Sequence, residues 1–519
     1  MRWRQQGPPP RAGPAPEGNL EANQAHDAVK RHRKGRPGFI AWLFRREARQ
    51  AWTRENLPLA EAARIADIKR QQAETTLADG IRRVDELTLE IARADRALIE
   101  PQNKVFQLSA QLDVYRPALG KRIIDETFFA AGHEASNLAS PWLPDGLQAK
   151  REDLFIAAMD VHKAFIDVSA QKVLHNLSIL MDVFKDGPPQ DPAKCALLGD
   201  LWSTLFMVTP VLSTTFASVE KMLGDLPPES IGWLLIDEAG QALPQAAVGA
   251  VMRARRSVIV GDPLQIPPVV ALPERLNIEI ANFFKIDRKA WTAPEASSQT
   301  LADRVSPFQA AFKSDRGPRQ VGIPLLVHRR CQEPMFGISN HIAYDGQMVH
   351  APGPRKSAIG DILGTSQWLN VDGDADSKWS PDEGERVVAL LREIAEAGVR
   401  NPDVFIITPF RIVAQELRTR LRTERGLFAK FGVDAGAWLK DRVGTIHTVQ
   451  GREAEAVILV LGAPKASQNG ARSWAAGTPN ILNVAVSRAK QRLYVVGSYG
   501  AWSGVGHARE MASQLQSRG

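Results

Sequence analysis

The sequence predicts an α/β fold with two tandem α/β domains, the first carrying a helical stalk or coiled-coil insertion. Three observations lead to this prediction. Short runs rich in valine and isoleucine recur after residue 200, and helical segments separate most of them. The runs are continuously apolar, as strands are in parallel sheets covered on both faces. A gap from about residue 271 to 402 divides them into two groups, which indicates two domains.

Residues 1–58 are predicted to form a basic, partly disordered segment. They contain 12 Lys and Arg residues against 5 Asp and Glu residues, with the proline-rich run GPPPRAGPAP near the start. Such a composition buries too little apolar surface to order the chain. The run KRHRKGR at 30–36 could contact nucleic acid, but we favour a solvated tail.

Residues 59–200 are predicted to form a helical hairpin or stalk. No proline lies between Pro58 and Pro101, and Gly80 marks a possible bend. A helical seam with 3-4-3-4 spacing follows it, formed by Val84, Leu87, Ile91, Ala94 and Leu98. A second helical stretch from about 151 to 184 has one apolar face, formed by Leu154, Ala158, Val161, Phe165 and Val168. We expect packing to be the role of these faces, with binding as the alternative.

The two α/β domains are predicted at 201–320, including a connector, and at 321–500, with a C-terminal tail at 501–519. Their predicted strands lie in the runs TLFMVTPVLSTTF, GWLLIDEAG, RRSVIVGDPLQ, DVFIITPF, EAVILVLG and QRLYVVGS.

Composition restricts the functional classes. The net charge of +7 and pI of about 9.4 are compatible with a nucleic-acid partner, although many basic proteins bind no polymer. Cys195 and Cys331 are far apart and lack metal-ligand spacing, which argues against a disulfide framework and a zinc site. We find no apolar run that could span a bilayer and no secretory signal, so we expect a cytoplasmic protein without a membrane partner.

Acidic residues follow two neighbouring predicted strands. Asp237 and Glu238 end the first strand, where ligands of open α/β sheets bind. One carboxylate there could hold Mg²⁺ together with phosphate oxygens, and the other could activate water. Adjacent acids after a strand also commonly cap the next helix. Asp262 ends the next strand, and the proline-stiffened loop after it carries Gln265, whose amide can donate to phosphate and accept from water. A proline-rich surface loop is the alternative.

Six motifs in this order resemble those of superfamily 1B helicases, in the branch of the nonsense-mediated-decay helicase and the replication helicase–nuclease. LLIDEAGQA and VIVGDPLQIPP resemble motifs II and III. The resemblance continues through LLVHRRCQEPMFGISNHIAYDGQMV, VFIITPFRIVAQEL, VGTIHTVQGREAEAVILVLG and LNVAVSRAKQRLYVVG, over roughly residues 205–500. It implies two RecA-like P-loop NTPase domains and the cofactors ATP and Mg²⁺.

The resemblance also implies residue roles. Asp237 would hold magnesium, Glu238 would activate water, and Gln265 would sense the γ-phosphate and couple the two domains. Arg330 and Arg488 would be arginine fingers. Arginine suits this role because its guanidinium stays charged and can donate to two phosphate oxygens at once.

Further residues are implied at the nucleotide and at the nucleic acid. Asp262, Gln450 and Gly451 would lie at the nucleotide, with Glu453 on the ribose. Arg329 stands where the branch usually has an aromatic residue that stacks on adenine, and its guanidinium plane can stack on a base too. The candidates for contact with the nucleic-acid backbone are Thr408, Pro409, Thr445 and His447.

The sequence lacks one motif that the family has. It contains no Gly-x-x-x-x-Gly-Lys-[Ser/Thr], the loop that supplies backbone N–H groups, a lysine and a hydroxyl to phosphates and magnesium. We therefore expect a truncated first domain and a chain that binds ATP weakly and hydrolyses it negligibly.

The implied function is that of an ATP-dependent helicase or translocase on single-stranded DNA or RNA. Whether this chain is itself an ATP hydrolase stays open. The alternatives are a catalytically inactive nucleic-acid-binding scaffold and a nucleotide-dependent switch acting on a protein partner.

Overall fold

A computed structural model of the chain describes residues 16–312, 318–449 and 451–518. The chain divides into two compact units, residues 1–123 and 124–519. The division lies inside the predicted stalk, and the predicted segment boundaries stay predictions. Cys195 and Cys331 are both free. Within the described ranges, no helix is long and apolar enough to cross a membrane.

The first unit is a helical hairpin. Its helices are α1 (Pro16–Lys34), α2 (Phe39–Phe44) and α3 (Arg46–Leu119), and a 3-10 turn follows at Gly120–Arg122. Helix α1 folds back along the start of α3. His26 Nε2 lies 2.8 Å from Asp67 Oδ2, and the His32 ring stacks on Trp52 with 5.1 Å between the ring centroids. Helix α2 therefore forms the turn of the hairpin.

Residues 16–58 are mostly helical, where the sequence led us to expect irregular chain. The reason is the pairing of α1 with α3, which buries Ala22, Val29 and Ala63. The sequence of residues 1–58 alone does not reveal this pairing, because Ala63 lies beyond it. The part of the prediction that concerns residues 1–15 lies outside the described residues.

Helix α3 is continuous through Gly80 and contains Pro58 and Pro101. Gly80 therefore does not end a helix, and a bend at this position stays a prediction. The seam that begins at Val84 and ends at Leu98 is exposed along α3. The packing role predicted for the seam is therefore not seen among the described residues.

Helices also open the second unit. They are α4 (Glu126–Ala130), α5 (His133–Leu138), α6 (Asp145–Val168), α7 (Ala170–Asp186), α8 (Pro192–Cys195), α9 (Leu198–Val208) and α10 (Phe216–Leu223). The predicted stretch at 151–184 is split between α6 and α7. Its predicted apolar face is exposed on α6, whereas α7 and α9 bury Leu180, Leu198 and Trp202 in one cluster.

The predicted strand in TLFMVTPVLSTTF is wrong. Residues 204–208 belong to α9, and no strand follows in the rest of the run. Leu198, Leu201, Trp202 and Leu205 recur at helical spacing and pack against Leu180 of α7, so a helix buries these side chains better than a strand would.

The first α/β segment contains a small parallel sheet. Strand β1 (Leu234–Ile236) pairs with β2 (Ser257–Ile259), and α11 (Pro244–Met252) connects them. The segment continues with α12 (Glu274–Phe283), α13 (Arg288–Trp291), α14 (Ser298–Val305) and the antiparallel strands β3 (Ala310–Phe312) and β4 (Arg319–Val321).

The second α/β segment contains a six-stranded parallel sheet in the order β12-β7-β11-β10-β8-β9. A short parallel pair, β5 (Val327–His328) and β6 (Val349–His350), precedes the sheet. The sheet strands are β7 (Gln367–Asn370), β8 (Val404–Thr408), β9 (Val443–Thr445), β10 (Ala454–Val460), β11 (Ala489–Gly497) and β12 (Gln516–Arg518). The helices are α15 (Met335–Ala343), α16 (Ala358–Leu363), α17 (Pro381–Glu396), α18 (Arg411–Arg422), α19 (Arg425–Phe431), α20 (Ala435–Arg442), α21 (Asn469–Ala476), α22 (Pro479–Ser487), α23 (Tyr499–Trp502) and α24 (Ala508–Gln514).

The predicted α/β class with parallel strands is confirmed, since five of the six runs contain strands. Residues 501–518 are not a tail. Trp502 and Met511 are fully buried, and β12 pairs with β7 at the edge of the sheet. Apolar side chains at Trp502, Ala508 and Met511 anchor this segment on the core and so bring β12 to the edge.

Candidate nucleotide site

Two loops at the carboxyl ends of β1 and β2 form the centre of the candidate site. The first loop carries Asp237 and Glu238, and the second begins at Gly261 and Asp262. The amide of Ala239 donates to the carbonyl of Val260 at 2.9 Å, which joins the loops directly after the strands end. The parallel pairing of β1 with β2 therefore places the predicted acidic residues side by side.

Glycines allow the two loops to touch. A Cβ on Gly240 would lie 2.7 Å from the carbonyl oxygen of Asp262, and a Cβ on Gly261 would lie 2.5 Å from the Gly240 nitrogen. Both contacts are with backbone atoms, which cannot move aside as a flexible side chain can. The spacing between the loops thus depends on the absence of side chains at these positions.

Glu238 is held in an unusual backbone conformation. Its φ of 53° lies in the left-handed region, which costs energy for a residue with a Cβ. The Asp237 Oδ1 atom accepts from the Glu238 amide at 2.8 Å, and Gln241 Nε2 donates to Glu238 Oε2 at 2.7 Å. These contacts fix both carboxylates in direction.

The acidic pair fits magnesium bound mainly through phosphate. Among the described residues, no group of three or more His, Cys, Asp or Glu side chains could hold a metal ion. Mg²⁺ commonly needs only one or two carboxylates, because substrate phosphates and water complete its shell. Asp237 is exposed, and its Oδ2 atom is available for that purpose.

Asp262 is the acceptor at the centre of the loop formed by residues 261–266. Its Oδ1 atom accepts from the Leu264 amide at 2.9 Å, and its Oδ2 atom accepts from Gln265 Nε2 at 3.0 Å and from the hydroxyl of Tyr344. Within the described chain, its carboxylate thus bonds protein groups. It orders the loop rather than pointing freely at a ligand.

Side chains of the second α/β segment hold the same loop. Asn483 Nδ2 donates to the Leu264 carbonyl at 3.1 Å, and Asn480 Nδ2 donates to the Gln265 carbonyl. Ile266 is buried within the main core of the second segment. The loop after β2 is therefore docked on the second segment by polar contacts and by an apolar anchor.

Tyr344 and Asn483 form the centre of this docking surface. Asn483 Nδ2 donates to the Tyr344 oxygen at 2.9 Å, and Ser339 donates to Asn483 Oδ1 at 2.6 Å. Burial, followed by the negative charge of Asp262, raises the pKa of Tyr344 well above its ordinary value. The phenol stays protonated and can only be the donor to Asp262.

Gln265 has an acceptor without a partner. One N–H of its amide donates to Asp262, and its Oε1 atom is buried with no hydrogen-bond partner among the described residues. A buried amide oxygen without a partner is costly unless a ligand or water donates to it. The Oε1 atom is therefore left without a donor among the described residues.

Arg330 pairs with a residue that the resemblance places at the same nucleotide. Its Nε atom lies 2.7 Å from Glu453 Oε2, and Lys490 Nζ lies 3.7 Å from Glu453 Oε1. The side chains of Arg330 and Glu453 are both about two-fifths exposed, at 41% and 42%. A phosphate that binds Arg330 must therefore compete with the Glu453 carboxylate.

Arg488 is held inside the second segment. It is only 1% exposed, and its guanidinium donates to the carbonyls of Val484 and Arg452 at 3.2 and 3.1 Å and to the Ser487 hydroxyl at 3.4 Å. Burial lowers its pKa first, and the neighbouring charge of Arg330 lowers it further, while the Glu238 carboxylate acts in the opposite direction. Each of the three guanidinium nitrogens of Arg488 thus already donates to a protein acceptor.

Three predicted nucleotide residues remain: Arg329, Gln450 and Gly451. Arg329 and Gly451 are exposed. Gln450 lies outside the described residues. The residues that sequence reasoning did not single out are Tyr344, Asn480, Asn483 and Gln241. Polar side chains inside the otherwise apolar helix α22 were the available signal for Asn480 and Asn483.

Comparisons with known proteins match both α/β segments. Two family models, each described as an AAA domain, match residues 204–272 and 308–500. The replication ATP-dependent helicase/nuclease DNA2 of Gallus gallus is 24% identical over 301 residues, which are 56% of this chain and 25% of that protein. The DNA-binding protein SMUBP-2 of Rattus norvegicus is 25% identical over 305 residues, which are 55% of this chain and 27% of that protein.

The chain belongs to the superfamily 1 helicases, in the branch of the replication helicase–nuclease. It spans about a quarter of the length of these curated relatives. A solved arterivirus helicase, nonstructural protein 10 in complex with DNA, is 18% identical and covers 53% of this chain and 41% of its own. Its TM-score is 0.25.

The candidate nucleic-acid contacts of the chain lie at the carboxyl ends of β8 and β9. Thr408 is fully buried, and its hydroxyl accepts from the Phe410 amide at 3.3 Å. Pro409 and Thr445 are buried too, whereas His447 is exposed. Partial desolvation by neighbouring residues and then the charge of Arg411 lower the pKa of His447. Of the four candidates, only His447 has an exposed side chain.

Proposed function

We propose that this chain is part of an ATP-dependent helicase or translocase that acts on single-stranded nucleic acid, with two RecA-like segments and a helical stalk. The observation that carries the proposal is the docking of the 261–266 loop on the second segment. Asp262, Leu264 and Gln265 belong to the loop beside the acidic pair, while Tyr344, Asn480 and Asn483 belong to the other segment. A change at the nucleotide would therefore reach the second segment through direct bonds.

The residues would divide the chemistry between them. Bound magnesium-ATP would supply the phosphoryl group that is transferred to water. Asp237 would hold the magnesium ion, and Glu238 would accept a proton at Oε1, since Oε2 already accepts from Gln241. Gln265 Oε1 would accept from the attacking water.

Arg330 and Arg488 would stabilise negative charge on the phosphoryl oxygens. Both now have other partners, Glu453 for the first and backbone carbonyls for the second. Exchange of these partners for phosphate would draw the second segment toward the acidic loop. The conformational step of a translocase would be this closure and its reversal.

Two other functions make different predictions. A scaffold binds nucleic acid but does not respond to nucleotide, and the absence of a phosphate-loop motif in the sequence favours it. A switch responds to nucleotide but not to nucleic acid. A helicase requires that each ligand alter the affinity for the other, because coupling between two sites is reciprocal.

The experiment measures the affinity of the 519-residue chain for fluorescent single-stranded DNA and RNA, with and without millimolar magnesium-ATP. We expect a nucleotide-dependent change in affinity that Arg488→Gln abolishes and the control Arg509→Gln, at an exposed site on α24, retains. Binding of nucleic acid without any nucleotide effect would establish the scaffold instead. Nucleotide binding without an effect on nucleic acid would favour the switch.

A further inference from the structure

The turn of the first unit gathers two basic runs that are separate in the sequence. Residues 30–54 contain nine Lys and Arg residues and one acidic residue, Glu47. Because α1 folds back on α3, the last turn of α1 and the first turns of α3 lie at the same end of the hairpin. We call this end the basic tip, formed by helix α2 together with the exposed residues Arg31, Arg33, Lys34, Arg36, Arg45, Arg46 and Arg49.

Most of this charge is not neutralised within the protein. Lys30 lies 3.9 Å from Asp27, and His32 lies 4.0 Å from Glu55. In the part of the chain that the structure describes, no carboxylate pairs with Arg33, Lys34 or Arg46. Several uncompensated cations on one surface attract a polyanion and lose affinity steeply as salt rises.

Helix α2 places apolar side chains in the middle of these cations. Phe39, Ile40 and Phe44 are 80%, 75% and 81% exposed. Trp42 is on the inner side, where its ring lies 5.5 Å from that of Trp52. The side of α2 that carries Trp42 is therefore packed on the hairpin, and the rings of Phe39 and Phe44 are exposed to solvent.

The inner contacts also fix the position of α2. Arg36 lies 4.6 Å from the Trp42 ring centroid, and the Trp52 indole donates to the His32 carbonyl at 3.2 Å. These bonds join the end of α1, helix α2 and the start of α3. The phenyl rings and the flanking cations are thus presented on an ordered support.

We propose that the basic tip is a second binding surface for single-stranded nucleic acid, separate from the nucleotide site. Phosphates would pair with Arg33, Lys34, Arg45 and Arg46, and bases would stack on Phe39 and Phe44. Phenyl rings beside Arg and Lys are the means by which proteins hold single strands without regard to sequence. With about 1.5 Å of rise and about 100° of rotation per residue, the two phenylalanines stand roughly 7.5 Å apart along α2 and about 140° apart around it, so each ring stacks on a separate unstacked base.

A lipid surface fits this tip less well. The strength of membrane binding by a surface helix scales with the apolar area that it buries, and the exposed large apolar side chains of α2 are only Phe39, Ile40, Leu43 and Phe44. A single strand needs only isolated rings between cations. The apolar area and its division into two rings therefore favour nucleic acid.

The test uses the full chain without nucleotide, so that its result does not depend on the proposed ATP chemistry. Variant A replaces Arg33, Lys34, Arg45 and Arg46 with Gln. Its matched control replaces four exposed cations farther along α3, Lys69, Arg93, Arg96 and Lys104, with Gln, and so removes the same net charge. Affinity for fluorescent oligo-dT is measured over a series of salt concentrations.

At low salt, we expect the affinity of variant A to be at least about tenfold lower than that of the unsubstituted chain. The slope of log affinity against log salt should decrease in magnitude by up to about 3. The control should change affinity by less than about twofold. Equal losses in both variants, or a loss in neither, would overturn the proposal. Arg509→Gln, at an exposed site on α24, should also leave this binding unchanged.

A second variant tests stacking. Phe39→Ser with Phe44→Ser should weaken oligo-dT binding, while Phe106→Ser at an exposed site on α3 should not. Sedimentation with phosphatidylglycerol vesicles runs in parallel. Vesicle binding that requires the two phenylalanines, with oligo-dT affinity unchanged, would overturn the proposal in favour of a lipid surface.

Discussion

Tyr344 donates its phenolic hydrogen to Asp262 and so joins the two α/β segments at the candidate nucleotide site. The two residues are 82 positions apart in the sequence. The phenol is buried and also accepts from Asn483, so both of its hydrogen-bonding functions are used inside the protein. A buried polar contact of this kind is costly to break, because the carboxylate loses a donor that water cannot easily replace.

We expect Tyr344→Phe to loosen the 261–266 loop without unfolding the chain. The variant removes one hydrogen bond to a charged acceptor, worth about 1.5–3 kcal/mol. Hydrogen exchange in the peptide that contains Leu264 and Gln265 should become about 10- to 100-fold faster. Tyr115→Phe, at an exposed tyrosine of α3, is the control. Unchanged exchange in the loop would show that the phenol does not hold it.

The contact between the two acidic loops should not tolerate a methyl group. In Gly261→Ala, the new Cβ would meet the backbone nitrogens of Gly240 and Ala239 at 2.5 and 2.8 Å. We expect the opening free energy of the β1–β2 sheet, measured by hydrogen exchange, to fall by about 1–3 kcal/mol. Gly232→Ala is the matched control, since a Cβ there meets nothing within 4 Å. Equal effects of the two substitutions would contradict the close approach.

Glu383 predicts a pH dependence of stability. It is fully buried at the start of α17, and burial raises its pKa from 4.5 to about 8, although the Gly462 amide donates to it at 2.8 Å. The folded chain keeps this proton up to about pH 8, whereas the unfolded chain releases it near 4.5. The resulting stabilisation is present below pH 4.5 and is lost as the pH rises through about 8.

Glu383→Gln should remove that dependence, because the amide is neutral at every pH. Melting temperatures of the chain and the variant are compared at about pH 5 and about pH 8.5, which bracket most of this titration. The melting temperature of the variant minus that of the unsubstituted chain should increase as the pH rises. Glu393→Gln, on an exposed position of α17, controls for surface charge. A constant difference between chain and variant would mean that Glu383 is ionised in the folded state.

Glu453→Gln separates two roles of that carboxylate. In the structure it pairs with Arg330, so its neutralisation should free the arginine and raise the affinity for ATP a few-fold, by about 0.5–1 kcal/mol. Affinity for adenosine, which has no phosphate, should not change. A loss of affinity for both ligands would instead support contact with the ribose. Equilibrium binding to immobilised chain measures both.

The strands of the second segment could be predicted because their apolar runs are continuous and bounded by turn residues. Val404–Thr408 and Ala454–Val460 are buried on both faces, which is the environment that such runs indicate. The TLFMV run misled the prediction because a short apolar run can be a buried helix as well as a strand. The edge strand β12 is polar in sequence, and only its pairing with β7 makes it a strand.

The candidate site was predictable at the level of motifs but not of contacts. The acids after β1 and β2 could be placed from strand ends alone. The bonds from Tyr344 and Asn483 to the 261–266 loop could not, because they join residues up to 219 positions apart. Likewise, nothing in the motif around Arg488 indicates that its guanidinium is occupied by backbone carbonyls.

The most direct test of the central claim is the coupling between nucleotide and nucleic acid in Tyr344→Phe. Affinity for single-stranded DNA is measured with and without magnesium-ATP, and the ratio of the two affinities is the coupling factor. We predict that the chain has a factor different from one, and that Tyr344→Phe brings it close to one while each ligand still binds separately. A coupling factor unchanged by Tyr344→Phe would contradict transmission through the bond between Tyr344 and Asp262.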